Sequence, residues 1–365
     1  MTRPILARVD LGALRHNYAV ARRYAGSARV WAVVKANAYG HGLLRAARAL
    51  ADSADGFALI EIEGAIALRE AGLRQPILLL EGFYAPDEIP LIVEYSLTTV
   101  IHSLQQLDLL IRSTPAKEVR LPVYLKLNTG MNRLGLNANE LDGAIHALNA
   151  ASHVGAITLM THFSDADCGQ DGRGINEQMG RLGTMRADLT RPVSLANSAA
   201  LLRYPESMGS DQDWARAGIM LYGSSPFPEL RSAAELDLSP VMTLTSELIS
   251  VRDLAPGDRI GYGGTFVADV PLTVGVVACG YADGYPRHAP TGTPVLVEGR
   301  RSRTLGRVSM DKICVDLTAI PGARIGSSVV LWGQDLPVDE VATAAGTISY
   351  ELFCAVAARV RVVEV

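Results

Sequence analysis

Trp31-Ala32-Val33-Val34-Lys35-Ala36-Asn37-Ala38-Tyr39-Gly40-His41-Gly42 is an apolar run that ends on a lysine and passes at once into small residues and glycines. A run of this kind reads as a buried strand leading into a loop and then a helix. An amine at the end of a buried strand is costly unless a site uses it. Burial lowers a lysine's pKa, and a partly neutral amine can attack a carbonyl to form a Schiff base. Tyr39, four residues on, brings a hydroxyl toward whatever Lys35 holds. The plain alternative is a lysine whose stem lies along the core while its charge reaches water. This stretch alone does not separate the two readings.

The same texture extends outward from Lys35 to about residue 225. Apolar runs cover 31–35, 56–60, 76–81, 97–101, 121–127, 154–162, 192–197 and 217–222. The spacing between them is helical. Leu11, Leu14, Tyr18 and Ala21 fall on one face behind Asp10 as N-cap, and Ile62, Ala65, Ile66 and Arg69 repeat the pattern. Eight strands alternating with helices predict an α/β fold, a (β/α)8 TIM barrel, with an open doubly wound sheet as the competitor. Pro226, Pro228 and Pro240 then punctuate a polar linker over 224–240. Beyond it, β-rich runs at 241–251, 272–279, 293–297, 313–317 and 329–332 alternate with turn signals such as Pro256-Gly257-Asp258 and Pro321-Gly322. These predict a C-terminal all-β domain. The run at 5–9 is surplus to eight barrel strands and is expected to pair with that domain. The expected bounds are 10–230 for the barrel, and 1–9 with 231–365 for the β-strand domain.

A length of 365 residues suits two domains, and 48% hydrophobic with 20% charged residues is an ordinary globular composition. The net charge of -4 gives no electrostatic case for nucleic acid or an anionic membrane. No apolar stretch is long enough to span a bilayer, and residues 1–10 do not read as a signal peptide. The cysteines, Cys168, Cys279, Cys314 and Cys354, have no C-x-x-C spacing. That argues against a metal site or a disulfide framework and fits a reducing cytoplasm.

Active residues of such a barrel gather at the carboxyl ends of its strands. Lys35 ends the first run, Lys126 and Arg133 flank the exit of the fifth, and His162 ends the sixth. Asn197-Ser198 ends the seventh, and Arg216-Ala217-Gly218-Ile219-Met220-Leu221-Tyr222 spans the eighth. A lone histidine is usually a satisfied core or surface residue, and a lone arginine a salt-bridge partner. Several such residues at one rim are harder to explain as packing. Ser198 opens a helix, so its hydroxyl is either an N-cap or part of a phosphate site. The Gly218–Ile219 backbone falls after strand eight, where barrels often bind phosphate. No phosphate-loop or dinucleotide glycine spacing is present. In the second domain, Gly261-Tyr262-Gly263-Gly264 exposes a tyrosine on a glycine-rich turn. The segments 280–287 and 306–311 are dense in polar groups beside small residues.

The stretch 33–42 strongly resembles the pyridoxal-phosphate lysine signature of alanine racemases. The resemblance continues in order through Thr129-Gly130-Met131-Asn132-Arg133-Leu134-Gly135, His162-Phe163, Asn197-Ser198, Arg216-Ala217-Gly218-Ile219, Gly261-Tyr262-Gly263, 280–287, 306–311 and Ile348-Ser349-Tyr350-Glu351. It implies a pyridoxal 5'-phosphate-dependent isomerase that interconverts L- and D-alanine. It also implies a head-to-tail homodimer in which each active site joins one subunit's barrel to the other's β domain. By this likeness Lys35 tethers the cofactor, and Tyr39, Ser198, the Ile219 backbone and Tyr350 hold its phosphate. Arg216 faces the pyridine nitrogen with His162 in support, and Asn197 and Gly218 complete the cofactor set. Arg133 and the Met310 backbone hold the substrate carboxylate. Tyr281, Tyr350, Arg287, Arg307, Ile348 and Asp167 line the approach channel, and Asp311 stands beside Met310. Lys126 sits where many members carry a carbamylated lysine that positions Arg133.

The family mechanism uses two opposed bases, Lys35 toward the α-proton of D-alanine and Tyr262, from the other subunit, toward that of L-alanine. The product supplies D-alanine for peptidoglycan, or the reaction serves alanine catabolism. A decarboxylase of the same barrel type would place an acidic group where Arg216 stands. A serine or broad-specificity racemase would differ in pocket width, which Tyr281 and Tyr350 narrow toward a methyl group. A non-catalytic cofactor carrier would have Lys35 but neither a second domain nor Tyr262.

Overall fold

The computed structural model describes residues 3–113, 119–168, 174–185 and 190–365, so Met1 and Thr2 of the amino-terminal stretch lie outside the described residues. After a first strand, β1 (Leu6–Val9), the helix Leu11–Ala25 begins where sequence places it. The Asp10 carboxylate accepts the Ala13 N–H at 2.8 Å, a cap typically worth about 1 kcal/mol. Leu14, Tyr18 and Ala21 form its buried face.

Eight parallel strands follow: β2 (Arg29–Val33), β3 (Gly56–Leu59), β4 (Ile77–Leu79), β5 (Thr98–Ile101), β6 (Leu121–Lys126), β7 (Val154–Met160), β8 (Val193–Ser194) and β9 (Trp214–Ala217). They lie in the order β8-β7-β6-β5-β4-β3-β2-β9. The Arg216 N–H donates to Ala196 O at 2.8 Å, which draws the two ends of the sheet into a nearly closed barrel. β3, β4 and β5 are buried at every position, because helices cover one face and the barrel interior the other. Trp31 crosses the interior, stacked on Trp214 at 4.0 Å and edge-on to Tyr124 at 6.1 Å. Gly56 makes room for it: a Cβ there would lie 2.3 Å from the Trp31 ring.

The eighth barrel strand differs from expectation. It occupies Trp214–Ala217, and Ile219–Tyr222 is a tight 3-10 turn buried at all four positions. A short, fully buried apolar run has the same composition in either conformation, so its periodicity misleads. Arg216 therefore lies within the strand, and Gly218 and Ile219 lie just past its carboxyl end.

The C-terminal domain is mainly β. Its strands are β10 (Met242–Leu254), β11 (Arg259–Ile260), β12 (Phe266–Val267), β13 (Leu272–Val277), β14 (Pro294–Val297), β15 (Arg300–Leu305), β16 (Ile313–Asp316), β17 (Ser328–Trp332) and β18 (Arg361–Glu364). The large sheet runs β13-β16-β15-β14-β17-β10-β1-β18, and β13 also pairs with β10. A register shift between Leu248 and Ser250 lets the long β10 serve both sides. β1 pairs antiparallel with β10, Leu6 opposite Thr245, and parallel with β18, Leu6 opposite Arg361. Two helices, Val338–Ala345 and Ser349–Ala355, join the strands. The second carries Tyr350 to the barrel rim.

Candidate active site

The chain after β2 does not go straight into a helix. The Val34 N–H still donates to Ala58 O at 2.8 Å, and Lys35 follows. Ala36, Asn37 and Ala38 then take φ of +53° and Tyr39 +51°. This is one turn of left-handed helix, closed by Ala38 N–H to Val34 O at 2.9 Å and Gly40 N–H to Ala36 O at 3.0 Å. Left-handed backbone costs an L-residue about 1–2 kcal/mol. Strain of this kind collects where function fixes a geometry. The turn presents both Lys35 and Tyr39 to a cavity of about 410 Å³ at the barrel rim.

That cavity brings together Lys35, Tyr39, Lys126, Arg133, His162, Asp167, Asn197, Ser198, Arg216, Gly218, Ile219 and Tyr350. Burial lowers the Lys35 pKa, the charge of Arg133 lowers it further, and Glu81, Cys354 and Glu61 partly offset both. Lys126, buried in β6, is lowered to about 8 by burial and by the charges of Arg216, Arg133 and Lys35, with Glu81 opposing. Asn128 shapes the loop that carries Arg133, its Oδ1 accepting Gly130 N–H at 3.2 Å and Asn132 N–H at 3.0 Å.

Arg216 is buried, and its bonds use both terminal nitrogens. One donates to Ser194 O and Ser194 Oγ, each at 2.7 Å. The other donates to Thr161 O at 2.7 Å, Leu195 O at 3.1 Å and His162 Nδ1 at 3.4 Å. None of these partners is a carboxylate. Burial lowers its pKa to about 10, which leaves it cationic at neutral pH. Burial and then the charges of Arg216, Lys126, Arg133 and Lys35 hold the His162 pKa well below its usual value. His162 is therefore neutral and accepts through Nδ1.

The same cavity holds a cluster of small polar groups at the ends of β8 and β9, the latter paired with the β2 strand that delivers Lys35. Asn197 caps the helix Ser198–Arg203, its side chain accepting Ala200 N–H at 2.9 Å. Ser198 is thus released from capping, and its Oγ accepts the Gly218 N–H at 2.8 Å. A Cβ at Gly218 would lie 2.7 Å from the Tyr39 hydroxyl, so only glycine lets these groups converge. Ile219 opens the 3-10 turn, and its N–H has no partner within that turn. Burial raises the pKa of both Tyr39 and Tyr350, which keeps their hydroxyls protonated and able to donate. An amine, a set of hydroxyl and backbone donors, and a guanidinium whose hydrogen bonds go to no carboxylate share one cavity, and this donor set fits a pyridoxal phosphate.

Two polar lining residues, Glu81 and Cys354, are not among the candidates that the sequence singles out. Glu81, whose carboxylate accepts the Tyr84 hydroxyl at 2.6 Å, is the charged end of the predicted run at 76–81, the signal that singled out Lys35. Cys354 lies on the helix Ser349–Ala355, which sequence reading did not place.

Tyr262, Tyr281, Met310 and Asp311 do not line this cavity. They stand on the β domain, with Tyr262 70% and Met310 53% exposed. Their loops are nonetheless built. Tyr281 N–H donates to Ser309 O and Ala282 N–H to Met310 O, each at 3.0 Å. Below them the buried Asp283 carboxylate takes Arg3 at 2.5 Å and Arg359 at 2.7 Å, from opposite ends of the chain. Arg359 also reaches Asp311 at 2.6 Å. Arg307 leans on the Tyr262 turn, its guanidinium 3.2 Å from where a Gly263 Cβ would stand. Ile348, 61% exposed, lines a neighbouring cavity of about 230 Å³ with Asp167 and Tyr350.

Known proteins share this architecture throughout. The family model for the alanine racemase N-terminal domain matches residues 9–226, and that for the C-terminal domain matches 241–364. The chain is 54% identical to an alanine racemase of Nitrosomonas europaea, over 100% of its own length and 99% of that protein's. It is 53% identical to one of Nitrosomonas eutropha, over 99% and 98%. Among solved structures, the biosynthetic alanine racemase of Pseudomonas aeruginosa superposes with a TM-score of 0.95 at 46% identity, covering both chains completely. An alanine racemase from Bartonella henselae, described with covalently bound pyridoxal phosphate, superposes at 0.86 and 27% identity over 99% of each chain. With both domains matched and half the residues identical end to end, the chain belongs to the alanine racemase family.

Proposed function

We propose that this chain interconverts L-alanine and D-alanine with pyridoxal 5'-phosphate tethered at Lys35, as a homodimer whose active sites are shared. The observation that carries the reading is the pairing, in one cavity, of a half-buried amine of lowered pKa with a buried arginine that has no carboxylate partner among the described residues. Bound pyridoxal phosphate supplies an electron sink that acidifies the substrate α-carbon. The residues do the rest. Tyr39, Ser198, Tyr350 and the Ile219 N–H bind the phosphate. Arg133, with the Met310 backbone of the partner subunit, orients the substrate carboxylate. Lys35 Nζ takes or returns the α-proton on the face used by D-alanine. Tyr262 of the partner subunit does so on the opposite face. Its 70% exposure in the single chain leaves it available to a neighbour. In the cytoplasm the product would supply D-alanine for peptidoglycan, or the reverse reaction L-alanine for catabolism.

Arg216 determines what else the site can do. A guanidinium has no acceptor and only donates, so it favours an unprotonated ring nitrogen and a weaker sink. With the cofactor bound, Arg216 would thereby limit side reactions at the substrate α-carbon. Arg216→Glu is expected to raise transamination per racemisation event, measured as pyruvate formed per D-alanine formed. An unchanged ratio would remove this role from Arg216. The functional reading itself is tested by chiral analysis after incubating L-alanine with cofactor-loaded protein, alongside the visible spectrum before and after borohydride. D-alanine and a borohydride-sensitive band are expected, and the absence of both contradicts the reading.

A further inference from the structure

The left-handed turn at residues 36–39 needs something to hold it, because four successive non-glycine residues at positive φ persist only where their surroundings over-determine them. His41 provides that constraint. Its Nδ1 lies 2.8 Å from Tyr39 O and 3.1 Å from Ala38 O. Carbonyl oxygens only accept, so Nδ1 carries the ring proton. Nε2 is buried with no partner among the described residues. The ring is fully buried, 4.6 Å from Tyr222 and edge-on to Phe353 at 4.8 Å between centroids. Tyr222 stacks in turn on Tyr39 at 4.7 Å. Phe353, His41, Tyr222 and Tyr39 thus form a column from the C-terminal domain to the cavity wall. Burial lowers the His41 pKa to about 4, so the ring is neutral at neutral pH. A phenylalanine would fill this space without stranding a buried nitrogen. The bonds to the turn explain the imidazole.

We propose that His41 is a positioning residue for the cofactor tether: its Nδ1–H locks the left-handed turn, and the turn sets where Lys35 Nζ and the Tyr39 hydroxyl stand relative to each other. The role rests on Lys35 and Tyr39 holding the cofactor, as proposed above, but the turn can be read without cofactor.

The test compares His41→Phe, which keeps the ring and loses the donor, with His41→Asn, which keeps a donor near the Nδ1 position and loses the ring. Hydrogen exchange is followed on cofactor-free protein at the Ala38 and Gly40 amides, the donors that close the turn. Exchange there should rise about tenfold or more in His41→Phe and stay within about threefold of wild type in His41→Asn. Titration with pyridoxal phosphate should show Kd raised about tenfold or more in the Phe variant and largely restored in the Asn variant. Unchanged exchange in His41→Phe overturns the proposal whatever its cofactor affinity. So do equal effects of Phe and Asn, which would mean packing alone. If His41→Phe does not fold, His41→Ala replaces it against His41→Asn with the same expected contrast, and equal values again overturn it. Failure of the wild-type chain to bind the cofactor would instead overturn the tether reading and, with it, the functional half of this role.

Discussion

Replacing Lys35 with alanine is expected to abolish racemisation in both directions and to leave no cofactor attached after borohydride reduction. The residue has two tasks, and the substitution removes both. It is the tether, and it is the base on the D-alanine face. A positioned base alone is worth about 10² to 10⁴ in rate, so activity should fall by at least about a thousandfold once the tether is lost as well. Its neighbours cannot take over. Lys126, the other lysine in the cavity, belongs to β6, across the barrel from the strand that delivers Lys35. The guanidinium groups of Arg133 and Arg216 have no free lone pair to act as nucleophiles. The checks are the rate of D-alanine formation from L-alanine and the mass of the reduced protein. Retained activity above about a tenth of wild type would remove Lys35 from the centre of the chemistry.

Tyr262→Phe is expected to produce a different and more informative defect. L- and D-alanine are mirror images, so their equilibrium constant is one. Loss of either base must therefore slow net conversion equally from both sides, by about 10² to 10⁴ for a removed acid–base group. The asymmetry appears in proton exchange. In deuterated water the variant should still exchange the α-hydrogen of D-alanine through Lys35, while that of L-alanine, served by Tyr262, should be retained. Cofactor attachment should be unaffected, because Tyr262 is outside the cavity that Lys35 lines. Equal exchange of both enantiomers would show that one base serves both faces.

The barrel was legible because its strands are short apolar runs buried on both faces, and seven of the eight expected runs overlap the observed β2 to β8. The eighth misled because Met220, Leu221 and Tyr222 are as buried in a 3-10 turn as in a strand. The true β9 carries Arg216, which breaks its apolar appearance. Charge also hid β15, whose Arg300, Arg301 and Arg303 are exposed. β18 was missed because Arg361 and Glu364 bracket only two apolar residues. The left-handed turn after Lys35 had no sequence signal beyond Gly40 and Gly42, since alanine, asparagine and tyrosine all favour negative φ.

Site residues at the strand ends were legible because barrel topology brings strand ends together, whatever their separation in sequence. Glu81 falls under the same rule, as the charged end of the run at 76–81. The relation of Tyr262, Tyr281, Met310 and Asp311 to Lys35 follows no such rule. They belong to another domain, and in the single chain they lie outside the cavity. Only the family resemblance connected them to it.

That connection makes the central claim testable in one measurement. Lys35→Ala and Tyr262→Phe chains, each inactive alone, are unfolded together in equal amounts, refolded with pyridoxal phosphate and assayed for D-alanine from L-alanine. Random pairing makes half of the dimers mixed, and each mixed dimer holds one site with Lys35 from one chain and Tyr262 from the other. The account predicts recovery of about a quarter of the activity of wild-type protein refolded in the same way. No recovery above the separately refolded variants, although mixed dimers have formed, would contradict a site built from two chains.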